Sequence, residues 1–296
     1  MRELKTAFPV IAGNKALRER LAADILGRGL SHAYIIEGAK GSGKRTLALQ
    51  VAAALSCEKK SDDSLPLPCG ACESCRKILS GNSPDVVFVE KDPAKAQMGV
   101  DIIRSLREDV RLLPNDVDSK VYIIKDAHTM NAQAQNAFLL TLESPPPYVV
   151  FLLLCEDSRA LLETVRSRAP RLVTEKLAAS EVERYICRES EVAEELRRNS
   201  PDEFADILTV AGGSIGRAME LLDEREREPI LARRKLARDF VSAVESRSTK
   251  GGAALIFKFA QKRDELLLQL EQLRLAVRDL VIYTTCRLTS KSIYNY

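Results

Sequence analysis

Long apolar runs are missing from this sequence of 296 residues: no stretch approaches the ~18 that a membrane-spanning helix needs. The N-terminus lacks a basic start followed by an apolar stretch. No secretory signal peptide is therefore expected, and a cytoplasmic location is. Neither sign of charge dominates. A formal net charge of +3 neither demands nor excludes nucleic acid, so any such contact would have to come from a local patch. Histidine is scarce, and His32 and His128 have no cysteine or histidine at ligand spacing, so structural roles are expected for both. Repeats and low-complexity tracts are lacking. The pattern of a secreted disulfide scaffold is lacking too, because the seven cysteines are odd in number and unevenly spread.

Four of those cysteines stand close together, at Cys57, Cys69, Cys72 and Cys75, while Cys155, Cys187 and Cys286 are isolated. The spacing is C-x11-C-x2-C-x2-C. Two consecutive C-x2-C steps make a tight knuckle that aims thiolates at one tetrahedral centre, with the fourth returning from the preceding helix. Zinc suits an all-thiolate tetrahedral site in a reducing compartment, and a structural Zn²⁺ on these four residues is expected. An iron–sulfur cluster and unligated thiols remain as alternatives.

Up to about residue 175, helical patterns alternate with short apolar runs of β type, which implies a parallel sheet covered by helices. "NKALRERLAADILGRG" reads as helix, "HAYIIEG" as a buried strand and "RTLALQVAAALSC" as the next helix. "PDVVFVEKD", "KVYIIKDAH" and "YVVFLLLCED" read as strands, with "VDIIRSLREDVRLL" and "NAQAQNAFLLTLE" as the helices between them. "SRALLETVRSR" is a short helix and turn, and "RLVTE" an edge strand. From 176 the pattern is helical throughout. A small helical domain is expected over 176–228, with capping boxes at Ser180–Glu183 and Ser200–Glu203, and a second over 229–296. The second is split by "STKGG" at 248–252, and its last residues, "TSKSIYNY", contain no clear helix terminator. Leu266, Leu270, Leu273, Val277 and Leu280 form an apolar stripe there, to be buried within the domain or against other subunits.

Between the first strand and its helix lies "GAKGSGKRT", residues 38–46. A glycine-rich turn in that place exposes N–H groups to phosphate, and the helix N-terminus adds its dipole. Gly38, Gly41, Gly43 and Lys44 suit such a loop, and Lys44 would reach the outer phosphates. The residue after the lysine should be a Ser or Thr that ligates Mg²⁺. It is Arg45, which has no acceptor atom, and Thr46 sits ~100° further round the helix. At the end of "VYIIKDAH", where a hydrolase needs carboxylates for metal and water, stand Lys125 and Asp126. ATP or ADP is a candidate occupant of the loop; its hydrolysis is not expected. By themselves, Arg166, Ser167 and Arg168 read as surface charge at a helix end, and Asp126 as a turn cap or a partner of Lys125.

Taken in order, these residues resemble the clamp-loader family of AAA+ proteins, and within it the delta-prime branch. The likeness is carried by "SHAYIIEGAKGSGKRTLA", the four-cysteine insert, "KVYIIKDAHTMNAQAQNAFLLTLESPPPYVVFLLL", "LLETVRSRAPRL" and "GGSIGRAMELL". It implies an α/β AAA+ P-loop parallel-sheet domain (1–175) with its zinc knuckle (57–75). A helical lid (176–228) and an all-helical C-terminal collar (229–296) would follow. It also implies that Arg45, Lys125, Cys155 and Gly216 replace four parts of a hydrolytic site, Arg217 lying one place from the last. Ser167-Arg168-Ala169 matches the family's Ser-Arg-Cys motif, so Arg168 would be an arginine finger serving a neighbour's nucleotide. Leu140 and Ser144 depart from the family's usual Lys and Glu, which leaves direct DNA contact by that segment open. The expected role is a non-hydrolysing subunit of the DNA polymerase III clamp loader, active in DNA replication. Its partners would be gamma/tau-like motor and delta-like wrench subunits in a hetero-oligomeric ring, the sliding clamp, and primer–template DNA reached through the assembly. The rival is an active gamma/tau-like ATPase using Lys44 and Asp126, which Lys125 opposes. A small-molecule phosphotransferase finds no support in the knuckle or the trailing helices.

Overall fold

The computed structural model describes residues 6–27, 29–246, 255–256, 258–260 and 262–286. The 248–252 break and the 289–296 tail lie outside the described residues. The chain divides into two compact units that part between Lys176 and Leu177.

In the first unit, β1 (Ala33–Glu37), β2 (Val86–Val89), β3 (Lys120–Ile124), β4 (Val149–Cys155) and β5 (Arg171–Val173) form one parallel sheet in the order β2-β3-β4-β1-β5. The three middle strands are apolar along nearly their whole length because helices cover both faces. Register then assigns each side chain to a face. Ile36 stands opposite Leu154 and Leu172, and these three pack with Val51 of α2 (Lys44–Leu55). Ile35, Leu153 and Tyr122 face the other way, toward α4 (Val100–Asp109) and α5 (Ala132–Glu143). There Phe151 stacks on Tyr122 at 5.5 Å and takes Phe138 edge-on at 5.2 Å.

Helix α1 (Lys15–Leu26) precedes β1 and closes on Gly27. Two features depart from the sequence reading. A short helix α3 (Glu73–Leu79) inside the cysteine insert carries too little apolar periodicity to be anticipated. Helix α4 stops at Asp109, so Leu112 and Leu113 lie exposed on the loop beyond it. "SRALLETVRSR" resolves into a 3₁₀ turn at Ser158–Ala160 and the single-turn helix α6 (Glu163–Arg166).

The second unit is helical among its described residues: α7 (Ala179–Glu189), α8 (Glu191–Asn199), α9 (Pro201–Ala211), α10 (Ile215–Glu220), α11 (Glu224–Glu245) and α12 (Arg263–Cys286). Val182, Ile186, Phe204 and Ala218 are buried together. The cap of α7 falls two residues earlier than Ser180: Ala178 precedes the helix, and the Glu181 carboxylate accepts its N–H at 3.1 Å. Ser200 does precede α9 with Pro201 in the first turn, but its side chain makes no cap. Glu203 accepts from Arg227 instead, at 2.5 Å. On α12, Leu266, Leu273 and Leu280 are half-buried while Leu270 and Val277 are 45% and 44% exposed, so the stripe is only partly covered among the described residues.

Candidate functional site: a phosphate loop and a cysteine knuckle on one helix

Helix α2 has a possible ligand site at each end. At its start, Gly41 and Gly43 adopt φ of 76° and 83°, which only glycine takes readily, and this curls the loop back over the helix N-terminus. Gly38 is fixed by crowding. A Cβ there would lie 1.9 Å from Thr174 Oγ1 and 2.7 Å from Ser42 Oγ. The Thr174 hydroxyl lies 2.9 Å from Ser42 Oγ and 3.2 Å from the Glu37 carbonyl, tying the loop to the end of β5. Lys44 folds inward and donates to the carbonyls of Gly38 (2.6 Å) and Ala39 (2.8 Å). Burial lowers the pKa of its ammonium; Glu156, Cys155 and Asp126 pull the other way. Arg45 and Thr46 are exposed on the first turn.

Arg45 does more than project into solvent. Its guanidinium lies 4.8 Å from the centroid of the Phe88 ring on β2, and the Lys125 ammonium, just past β3, lies 5.9 Å from the same centroid. Lys125 Nζ is also 2.6 Å from Glu90 Oε1, so its partner is Glu90 rather than Asp126. Asp126 is exposed in the left-handed region (φ 47°), and it is its carbonyl that accepts the N–H and the hydroxyl of Thr129, each at 2.8 Å. Cys155, at the end of β4, is fully buried, and burial pushes its thiol up to about 12.

At the other end of α2 the four cysteine sulfurs lie within 4.8 Å of one another. Cys69 and Cys75 Sγ are 3.9 Å apart, close to the ~3.8 Å edge of a tetrahedron with ~2.3 Å metal–sulfur bonds. Backbone N–H groups of Cys72 and Cys75 donate to Cys69 and Cys72 Sγ, each at 3.4 Å, in the way C-x2-C steps hold thiolates. Burial raises Cys57 and, more strongly, Cys75. At Cys69 burial acts upward as well. The N–H groups of Cys72 and Ala71 outweigh it, together with the neighbouring sulfurs, and leave that thiol at about 7. This cluster could hold a metal ion, and its donors are all sulfur.

Elsewhere in the first unit, Arg168 follows α6. Its Nη2 pairs with Glu143 Oε1 at 2.9 Å and its Nη1 donates to the Thr164 carbonyl at 3.0 Å; Ser167 Oγ donates to that same carbonyl at 3.1 Å. At the base of the loop, Glu37 receives Arg171 in a two-point bridge (2.8 and 2.7 Å) and the Ser158 N–H. A polar cavity of about 600 Å³ opens here, bordered by Glu37, Asp157, Arg159, Arg166 and Arg171. Gly216 and Arg217 lie on α10 in the second unit, where Arg217 pairs with Glu220 at 2.7 Å. Phe88, Glu90, Thr174 and Glu143 went unread in the sequence. Each lies on a different element from the residue it holds, and no local spacing marks it.

A family model described as DNA polymerase III, delta subunit, matches residues 13–178, which take in the loop, the knuckle and Arg168. The chain belongs to the DNA polymerase III clamp-loader family. It is 32% identical over 191 residues to subunit delta' of that polymerase from Bacillus subtilis, covering 60% of this chain and 56% of that one. To subunit tau of Bacillus subtilis it is 30% identical over 218 residues, covering 73% of this chain and 37% of the relative. With subunit tau of Escherichia coli the figures are 31% over 218 residues, 73% and 32%. The chain thus spans about a third to a half of the length of these curated relatives. Clamp-loader membership, and a parallel sheet covered by helices with a helical unit after it, agree with the sequence reading. Among the described residues, no helix is long and apolar enough to cross a membrane.

Proposed function

We propose that the chain is a hydrolysis-silent, delta-prime-like subunit of a bacterial DNA polymerase III clamp loader, working in the cytoplasm. The observation that carries this reading is the Arg45–Phe88–Lys125 group. At both positions where an active relative supplies oxygen ligands, this chain supplies a cation, and neither cation has an acceptor atom to offer Mg²⁺. The donor set does not fit the metal, so no hydrolytic step is assigned to this loop. In the assembled ring, Arg168 would reach the γ-phosphate bound by a motor subunit, and Ser167 would fix the turn that carries it. A guanidinium there offsets the charge that develops in phosphoryl transfer. The lid and collar (176–228 and 229–296) would join the subunit to gamma/tau-like and delta-like partners, which together open a sliding clamp on primer–template DNA.

The four thiols fit zinc, and Cys57, Cys69, Cys72 and Cys75 would hold it. Bound there, it supplies structural cross-linking alone, since four thiolates leave no open coordination position. One observation favours the rival motor reading: the tau relatives match more of this chain than the delta' relative does. The test is reconstitution with motor subunits. Arg168→Ala is expected to lower clamp- and DNA-stimulated ATP turnover by roughly three powers of ten, and unchanged turnover overturns the finger. Mg²⁺-dependent turnover by the purified chain alone would restore the motor.

A further inference from the structure

The cysteine insert holds more of the fold than its own sulfurs. Residues 6–11 run ahead of α1 and meet the insert at Leu67. The Leu67 carbonyl accepts the Phe8 N–H at 2.6 Å, and the Leu67 N–H donates to the Thr6 carbonyl at 3.2 Å. Among the described residues, no other bond between backbone groups ties this segment to the rest of the first unit. Arg18 on α1 adds two longer contacts, from Nη1 to the Ala7 and Phe8 carbonyls, each at 3.4 Å. Phe8 and Leu67 are fully buried, in one apolar cluster with Cys57, Cys72 and Cys75.

Leu67 stands two residues before Cys69, and the chain reaches it from Cys57 through turns that are exposed from 58 to 64. Such a loop has many ways to place Leu67 until its ends are joined. A metal on the four sulfurs would join them, fixing Cys69 against Cys57, Cys72 and Cys75 and, with it, the two backbone groups that hold residues 6–8. A neighbouring loop offers a contrast. Asp116 also touches the insert, through Lys77 on α3 at 3.2 Å. Yet the N–H groups of Asn115, Asp116 and Val117 end on Asp85, a fully buried carboxylate outside the knuckle, at 2.7, 2.7 and 3.2 Å. That anchor owes nothing to the thiols.

We infer that the metal-loaded knuckle is a clasp for residues 6–11. With metal bound the segment is docked on Leu67; without it the segment leaves the core, while the loop at 115–117 stays in place. The inference rests on the proposed zinc at the four cysteines. Coupling of this kind is reciprocal. A metal that favours docking is itself retained by docking, so Phe8, remote in sequence from every cysteine, takes part in keeping it.

The test is amide hydrogen exchange on the full chain, zinc-loaded and after chelation with EDTA. Exchange at Phe8 and Leu67 is expected to quicken about tenfold or more on chelation, and exchange at Asn115, Asp116 and Val117 to stay within about twofold. A second measurement reads the coupling from the other side. Phe8→Ala should speed the release of zinc to a chromogenic chelator about tenfold. Arg18→Met, which leaves the core filled, should move it in the same direction by less. Continued protection of Ile123 and Leu152, buried in β3 and β4, shows that each sample has kept its sheet. Where chelation removes that protection too, the zinc-release rates decide. Unchanged exchange at Phe8 and Leu67 in metal-free protein with an intact sheet overturns the inference, and so do native release rates in both variants. A chain that takes up no zinc removes the zinc reading instead.

Discussion

The two ends of α2 are built from opposite strategies. At its C-terminal end the donors are alike, buried and converging: three of the four cysteines are at most 6% exposed, and their sulfurs stand at the spacing of a metal's ligands. At its N-terminal end the backbone converges, and the side chains nearby, Arg45 and Lys125, are cations without an acceptor atom that meet on the Phe88 ring. A helix of 12 residues thus has at one end a thiol cluster that could hold a metal ion and at the other a glycine-rich turn with cations beside it. The lesson is that backbone shape and donor chemistry change independently. Glycines and a half-buried lysine shape the loop, while Arg45 and Lys125 bring positive charge to the Phe88 ring.

The knuckle end is the more vulnerable. If the four thiols hold the proposed zinc, Cys75→Ala, or removal of metal by a chelator, should cost more than ~4 kcal/mol, because metal binding there would be folding free energy. Chemical denaturation beside metal analysis checks this, and an unchanged midpoint in metal-free protein would level the contrast between the ends. Next comes Gly38→Ala, whose Cβ would overlap Thr174 Oγ1; a loss of about 2 kcal/mol is expected, partly restored by Thr174→Ala in the same chain. Equal loss in single and double variants would show that the crowding is elsewhere.

Asp126→Gly should raise stability by about 1 kcal/mol, since a left-handed backbone (φ 47°) is relieved and no carboxylate cap is lost. A fall in thermal midpoint would point to a structural task for that carboxylate. The smallest effect concerns acid. Arg171 holds Glu37 below its ordinary 4.5. A depressed carboxylate contributes stability that is full above the unfolded value and lost as pH falls through the folded one. Glu37→Gln should therefore lower stability by up to about 1 kcal/mol at neutral pH, with the gap closing below about pH 4.5. Parallel stability curves from pH 7 to 3 would contradict the bridge.

Much of this was legible in the linear chain. The four parallel strands of the "HAYIIEG" type announced themselves as continuous apolar runs, and the loop and the cysteine knuckle announced themselves by spacing, because their pattern is local, whereas Ser167 and Arg168 stood out only through the family resemblance. The sequence had less to say where partners are remote. The Ser180 cap failed since Glu181 reaches back to Ala178, a choice made by how α7 starts rather than by residue type. Helix α3 was hidden by its brevity.

By itself the sequence determined the layered α/β unit and the helical unit after it, the placement of a glycine-rich loop after β1, and the presence there and past β3 of Arg45 and Lys125, which have no oxygen to offer a metal. Only the tertiary structure decided that those two cations share Phe88, that Thr174 leaves Gly38 no room for a side chain, and that Glu143 holds Arg168. The reason is physical. Identity and spacing act through the covalent chain over a few residues, whereas a ring on β2 meets a helix turn and a strand end only when the sheet's register and the packing of α2 bring them together.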